Sequence, residues 1–204
     1  LAAIIKDAGS VMDAELVAWG RSVKSRRRWQ GEKVPPLWLF TDAVRMADVA
    51  AAVAALPRGL CGVVFRHDGV PGRAALLGRV ARLCRQRRLS LCVAGAQAGR
   101  PARAGVHLRG AQGPKPRRFA TASAHGAADL VRARRRGVAL PFLSPVFPTM
   151  SHPGAKGLGV LRWAAIARRH GRPVAALGGI DGGTVRRLPW PWCRAVGAIT
   201  ALVA

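Results

Sequence analysis

Eight short apolar runs in series, separated by segments long enough for helices, predict an α/β fold of the (β/α)8 TIM barrel class. Two further observations support this. The runs are apolar at successive positions, as strands buried on both faces of a parallel sheet must be. The first run ends in Phe40-Thr41-Asp42, without the glycine-rich turn that a doubly wound sheet carries after its first strand. Residues 37–204 are few for such a barrel, so some helices are expected to be short or missing.

In chain order, residues 11–24 form an amphipathic helix with Val11, Met12, Leu16 and Trp19 toward one side. The basic stretch Ser25–Pro36 follows and ends in Pro-Pro, which stops regular structure. Residues 1–36 therefore read as an N-terminal extension, and residues 37–204 as the barrel. The strand candidates are Leu37–Thr41, Gly62–Phe65, Leu89–Ala94, Gly105–Leu108, Phe119–Ser123, Ala139–Leu143, Pro173–Leu177 and Ala195–Ile199. Helices are expected over Asp48–Leu56, Arg73–Arg87, Ala127–Arg136 and Leu161–Arg169. In Arg73–Arg87, Leu76, Leu77, Val80, Leu83 and Cys84 share one face. The connections 95–104 and 110–118 are short or rich in Gly and Pro, and little helix is expected there.

Composition bounds the function without choosing it. Half of the residues are hydrophobic, which excludes wholesale disorder, and no apolar stretch approaches the ~20 residues of a membrane span. No signal-peptide pattern marks the start, at Leu1. The four cysteines are scattered without a C-x-x-C pair, which fits a reducing cytoplasm better than a disulfide scaffold or zinc ribbon. Against 34 Lys+Arg stand 9 Asp+Glu, a net charge of +25 that permits nonspecific polyanion binding. The runs Arg26–Arg28 and Arg132–Arg136 are the clusters. Arginine outnumbers lysine heavily, a bias that genome composition also produces, and no known nucleic-acid module surrounds either run.

In a barrel, chemistry sits at the C-terminal ends of strands. Those ends carry cations, hydroxyls and glycines but few acids, since residues 37–204 hold only Asp42, Asp48, Asp68, Asp129 and Asp181. Such a rim suits an anion better than a bare divalent cation, which wants several oxygen ligands. Gly178-Gly179 after strand seven, with Thr200 after strand eight, occupy the usual phosphate position of barrels. The proline-punctuated segment after strand six adds Thr149, Ser151 and His152. His125, after Ser123, reads either as a general acid/base or as a structural histidine. No Ser/His/Asp triad and no zinc spacing is present.

Taken in order, these residues resemble the thiamine-phosphate synthase and thiazole tautomerase superfamily. The resemblance runs through most of residues 37–202. It is carried by Leu39-Phe40-Thr41-Asp42, Gly105-Val106-His107-Leu108, Thr121-Ala-Ser123-Ala-His125, Ser144-Pro-Val-Phe-Pro-Thr149-Met-Ser151 and Pro173-Val-Ala-Ala-Leu-Gly178-Gly179-Ile180. It implies a transferase of thiamine biosynthesis that joins a hydroxymethylpyrimidine diphosphate to a thiazole phosphate, with Mg2+ assisting departure of pyrophosphate. By the same resemblance Arg66 and Ser123 attend the leaving group, with His125 beside them. Thr149, Ser151, Gly178, Gly179 and Thr200 hold phosphate, with His152 standing as a phosphate-binding candidate where the family has a loop lysine. The partners implied are phosphorylated pyrimidine and thiazole molecules, and a homo-oligomer is compatible with this reading. The chain departs from the family at the metal. The Asn-Asp pair ending the third strand corresponds to Ala94-Gly95, a lysine two residues after Arg66 corresponds to Asp68, and residues 109–118 hold no acid. The alternatives are a non-catalytic or tautomerase-like phosphate-binding relative, although the tautomerase base corresponds to Pro145, and a basic RNA-associated protein on the same fold.

Overall fold

The computed structural model describes residues 12–28, 34–95, 99–112, 115–150, 154, 156–189 and 192–203. Eight parallel strands close into one barrel in sequential order: β1 (Leu37–Phe40), β2 (Cys61–Phe65), β3 (Ser90–Ala94), β4 (Gly105–Leu108), β5 (Ala120–Ala124), β6 (Leu140–Leu143), β7 (Val174–Leu177) and β8 (Cys193–Ala198). Closure comes from β1 pairing with β8 in the register Leu37–Val196, Trp38–Gly197, Leu39–Ala198. Each strand lies where its apolar run predicts, within two residues at either end.

Strand alternation sorts the core into two layers. Leu37, Leu39, Cys61, Val63 and Phe65 point outward and pack beneath the helices. Trp38, Phe40, Val64, Cys92, Leu140 and Phe142 fill the interior. Three large rings leave little room, so the facing positions are small. A Cβ on Gly62 would lie 2.5 Å from the Trp38 ring, and one on Gly197 would lie 2.7 Å from Phe40. The rings meet edge to face, Trp38 on Phe142 at 5.8 Å between centroids and Phe40 on Phe142 at 4.8 Å. All four cysteines are buried and none forms a disulfide; burial pushes each thiol pKa up to about 12, which makes them packing groups.

The outer layer holds α1 (Ala14–Arg28), α2 (Val49–Ala55), α3 (Arg73–Gln86), α4 (Ala127–Arg135), α5 (Gly159–His170) and the single turn α6 (Gly182–Val185). The segments 95–104 and 110–118 contain only the 3-10 turn Arg109–Ala111 among the described residues. Among those residues no helix is long and apolar enough to cross a membrane.

Helix α1 differs from its expected span of 11–24. It starts at Ala14 because the Asp13 carboxylate caps it, accepting from the Leu16 amide at 3.0 Å. It continues to Arg28 because Lys and Arg are good helix formers whose charge suits a helix C-terminus. The buried side chains are Leu16, Val17 and Val23, with Met12 and Trp19 packed at the edge; Val11 lies outside the described residues. The helix α6 was also not anticipated, because its Gly182-Gly183 start reads as loop. A capping box between Asp181 and Thr184 holds it.

The position of α1 matters for the site. Strand β8 is followed by the 3-10 turn Thr200–Leu202, and α1 packs beside α6 where a barrel's eighth helix would lie. Gly20 lets it approach β1, since a Cβ there would lie 2.6 Å from Leu37. Its ends are pinned at opposite faces of the barrel. Asp13 N donates to Ala201 O at 3.1 Å, and Lys24 Nζ donates to Gly59 O at 2.7 Å. Leu16→Ala is therefore expected to cost about 2–4 kcal/mol in urea unfolding, the range of a buried Leu truncation. A loss below about 0.5 kcal/mol, typical of a surface site, would show that α1 contributes nothing to the core.

Candidate active site

The mouth at the C-terminal ends of the strands opens into a cavity of about 970 Å³. Phe40 and His107 line it from β1 and β4. Phe40 meets the His107 ring edge to face at 5.5 Å between centroids, so the interior aromatic packing carries the imidazole. His107 Nδ1 lies 2.8 Å from Thr121 Oγ1, and Nε2 lies 3.0 Å from Ser123 Oγ. Burial, followed by the charges of Arg66 and Arg109, pushes its pKa down to about 3, so His107 is neutral at pH 7. A neutral ring with hydroxyls on both nitrogens orients Ser123 from β5.

Arg66 follows β2 and is held from several sides. Its Nε donates to Thr41 O at 3.0 Å, its backbone N donates to Thr41 Oγ1 at 2.9 Å, and Nη2 reaches Asp42 Oδ2 at 3.4 Å. The guanidinium lies over the Phe40 ring, 5.4 Å from its centroid. Burial lowers its pKa most; Asp42 opposes that, while Arg45 and Arg109 reinforce it. Thr41 Oγ1 also meets His67 Nδ1 at 3.0 Å, joining the ends of β1 and β2.

Across the mouth, the segments after β6 and β7 are knitted together. Val146 N donates to Leu177 O at 3.0 Å and Phe147 N to Gly178 O at 3.1 Å. This requires glycine at 178 and 179, where φ is +96° and +64° and a Cβ would lie 2.7 Å from Pro145 and 2.6 Å from Pro148 O. His125 Nδ1 donates to Ser144 O at 3.1 Å, leaving Nε2 as the acceptor atom.

Seven of the nine residues singled out from sequence share this one cavity. Arg66, Ser123 and His125 line it on one side, and Thr149, Gly178, Gly179 and Thr200 on the other. Ser151 and His152 lie outside the described residues. Thr41, His107 and Arg109, which the sequence places at strand ends, line the cavity too, and Phe40 and Asp13 join them without having been expected there. Inward placement at a strand end signals Phe40; nothing in the sequence signals that Asp13 reaches the rim.

The acids around the mouth already serve N–H donors. Asp13 accepts from the Leu16 and Gly182 amides at 3.0 and 2.7 Å, and Asp181 from Thr184 N at 2.7 Å. Asp42 accepts from the Val44 and Arg45 amides at 3.1 and 3.0 Å as well as from Arg66. Asp68 pairs with Arg109 and, at 3.6 Å, with Arg73. Among the described residues no three His, Cys, Asp or Glu side chains gather to hold a metal ion. This donor set does not fit the magnesium that the resemblance implies, because a hard cation needs several oxygens aimed at one point.

A histidine buried neutral costs stability in acid. The unfolded chain takes up a proton below its ordinary pKa of about 6.5 while folded His107 stays neutral down to about 3, so stability is full above pH 6.5 and falls as the pH drops through that window. Urea unfolding from pH 7 to 4.5 is expected to show a shallower decline for His107→Gln than for the wild type, by up to about 1.4 kcal/mol per pH unit. Parallel declines would mean that His107 protonates in the folded protein.

Comparison with known proteins agrees with this arrangement. The thiamine monophosphate synthase family profile matches residues 39–202. Thiamine phosphate pyrophosphorylase from Pyrococcus furiosus superposes with a TM-score of 0.68 at 22% identity, covering 80% of this chain and 84% of that one. An HpcH/HpaI aldolase/citrate lyase family protein from Burkholderia cenocepacia superposes at 0.56 with 12% identity, covering 87% and 92%. At these identities the two structures speak for the barrel fold alone. No curated protein sequence matches the chain. The family profile runs from within β1 through β8 and the turn after it, and on that match the chain belongs to the thiamine monophosphate synthase family.

Proposed function

We propose that this protein joins a hydroxymethylpyrimidine diphosphate to a thiazole phosphate, forming thiamine phosphate and releasing pyrophosphate. The observation that carries the reading is the convergence of Arg66, Ser123, His125, Thr149, Gly178, Gly179 and Thr200 on one cavity. The cavity is large enough for two small phosphorylated molecules, and its two sides differ in the way the reaction requires.

On the β6, β7 and β8 side, glycine backbone and the hydroxyls of Thr149 and Thr200 receive the thiazole phosphate, with Ser151 and His152 assigned to the same loop by resemblance. On the β2 and β5 side, Arg66 and the Ser123 hydroxyl receive the diphosphate. The bond between the pyrimidine methylene carbon and the diphosphate oxygen breaks with both electrons leaving on oxygen. The thiazole nitrogen then donates its lone pair to the methylene carbon. Arg66 stabilises charge developing on the departing oxygens, and Ser123, oriented by His107, donates to them. His125 Nε2 accepts a hydrogen bond from the pyrimidine.

Binding without turnover is the second reading, favoured by the commitment of the mouth's acids to N–H donors. Incubation with both substrates and mass spectrometry for thiamine phosphate separates the two. Formation of product, reduced on the order of a hundredfold in kcat/KM by Arg66→Ala, is the expected result. Folded protein that binds thiazole phosphate saturably but yields no product would establish the second reading.

A further inference from the structure

We propose that the β2 and β4 side of the mouth binds a diphosphate directly on Arg66 and Arg109, with no bridging divalent cation. The substrate class rests on the synthase reading above; the mode of binding rests on how the charges are disposed.

Arg66 and Arg109 extend from the ends of β2 and β4 and line the same cavity wall. His107 lines the cavity as well, so all three groups face one concave space. Arg66 is held by Thr41, Asp42 and the Phe40 ring and is oriented before a ligand arrives, while the more exposed Arg109 pairs with Asp68. Two guanidinium forks, each able to take two oxygens, match a diphosphate.

Two carboxylates stand close enough to serve a metal here: Asp42, whose oxygens already accept from the Val44 and Arg45 amides and from Arg66, and Asp68, whose placement argues for another role. Asp68 lies against the α-carbon of Gly95 at the end of β3, where any Cβ would overlap it, and Gly95 has φ +69°. From there it faces Arg109 on one side and Arg73 on the other, while Arg73 Nη2 also donates to Ala94 O at 3.1 Å. The ends of β2, β3 and β4 are thus tied by an acid whose oxygens face guanidinium groups. A metal ion there would be set against the two guanidinium groups paired with Asp68, whereas a diphosphate would gain from a cation. Acid and base have exchanged duties relative to a metal-bridged site: the carboxylate orients arginine, and arginine meets the phosphate.

Isothermal titration with inorganic pyrophosphate tests this on the full chain, in EDTA and again with excess Mg2+. Saturable binding in EDTA is expected, with affinity changed no more than about threefold by Mg2+, a difference well under 1.4 kcal/mol. Arg109→Ala is expected to weaken it about tenfold or more, with Arg109→Lys recovering only part of the loss because the fork is gone. Asp68→Asn is expected to stay indifferent to Mg2+. Binding that requires Mg2+, and loses that requirement in Asp68→Asn, would overturn the proposal by showing a metal on Asp68. Absence of pyrophosphate binding in both buffers, or unchanged binding by a folded Arg109→Ala, would overturn it equally. The synthase reading fails separately: a protein that binds pyrophosphate without metal but forms no thiamine phosphate sinks that reading and leaves this one standing.

Discussion

The aromatic packing inside the barrel is the constraint on which the rest of the structure depends. Trp38, Phe142 and Phe40 occupy an interior that eight short strands leave narrow, and His107 sits against Phe40 at the mouth. Because the rings are large, Gly62 and Gly197 must face them, and alanines at 175 and 195 complete the fit. This packing also reaches the chemistry. Phe40 carries the Arg66 guanidinium on its face and the His107 imidazole against its ring, so two polar groups of the cavity are set by one buried phenyl.

Electrostatics at the mouth follows from where the few acids are spent. Asp13 and Asp181 cap helix starts, Asp42 caps a turn and steadies Arg66, and Asp68 steadies Arg109. Each carboxylate thereby fixes backbone or a cation in place, and the inward-facing groups that remain are guanidinium, hydroxyl, imidazole and glycine backbone. A surface with so large an excess of arginine attracts anions everywhere. What distinguishes the mouth is that Arg66 and Arg109 line one concave cavity together with hydroxyl and glycine groups.

The barrel was legible because buried parallel strands leave a local signature: runs such as Gly62–Phe65 and Ala139–Leu143 are apolar at every position and bounded by polar or glycine-rich turns. The loops at the strand ends were legible through Gly178-Gly179 and Ser123-Ala-His125, whose residue types are unusual for bland connections. Three features were not. The hydrogen bonds of His107 with Thr121 and Ser123 depend on register between neighbouring strands, which no local pattern reveals. The overlap of Asp68 with the space above Gly95 is a tertiary event between residues 27 positions apart. The arrival of Asp13 at the rim depends on α1 packing beside α6, and a helix with a sound apolar face does not announce which neighbour it will cover.

The central claim is that loops from the two halves of the barrel form a single phosphate-recognising cavity. Amide NMR on 15N-labelled protein titrated with thiazole phosphate tests it most directly. The account predicts saturable shifts at Gly178, Gly179, Thr149 and Thr200, with Ala127–Arg135 and the other outward helices unmoved. Shifts confined to exposed arginine-rich helix ends, or spread uniformly and abolished by moderate salt, would contradict it, because they would mean that net charge rather than a built site attracts the phosphate.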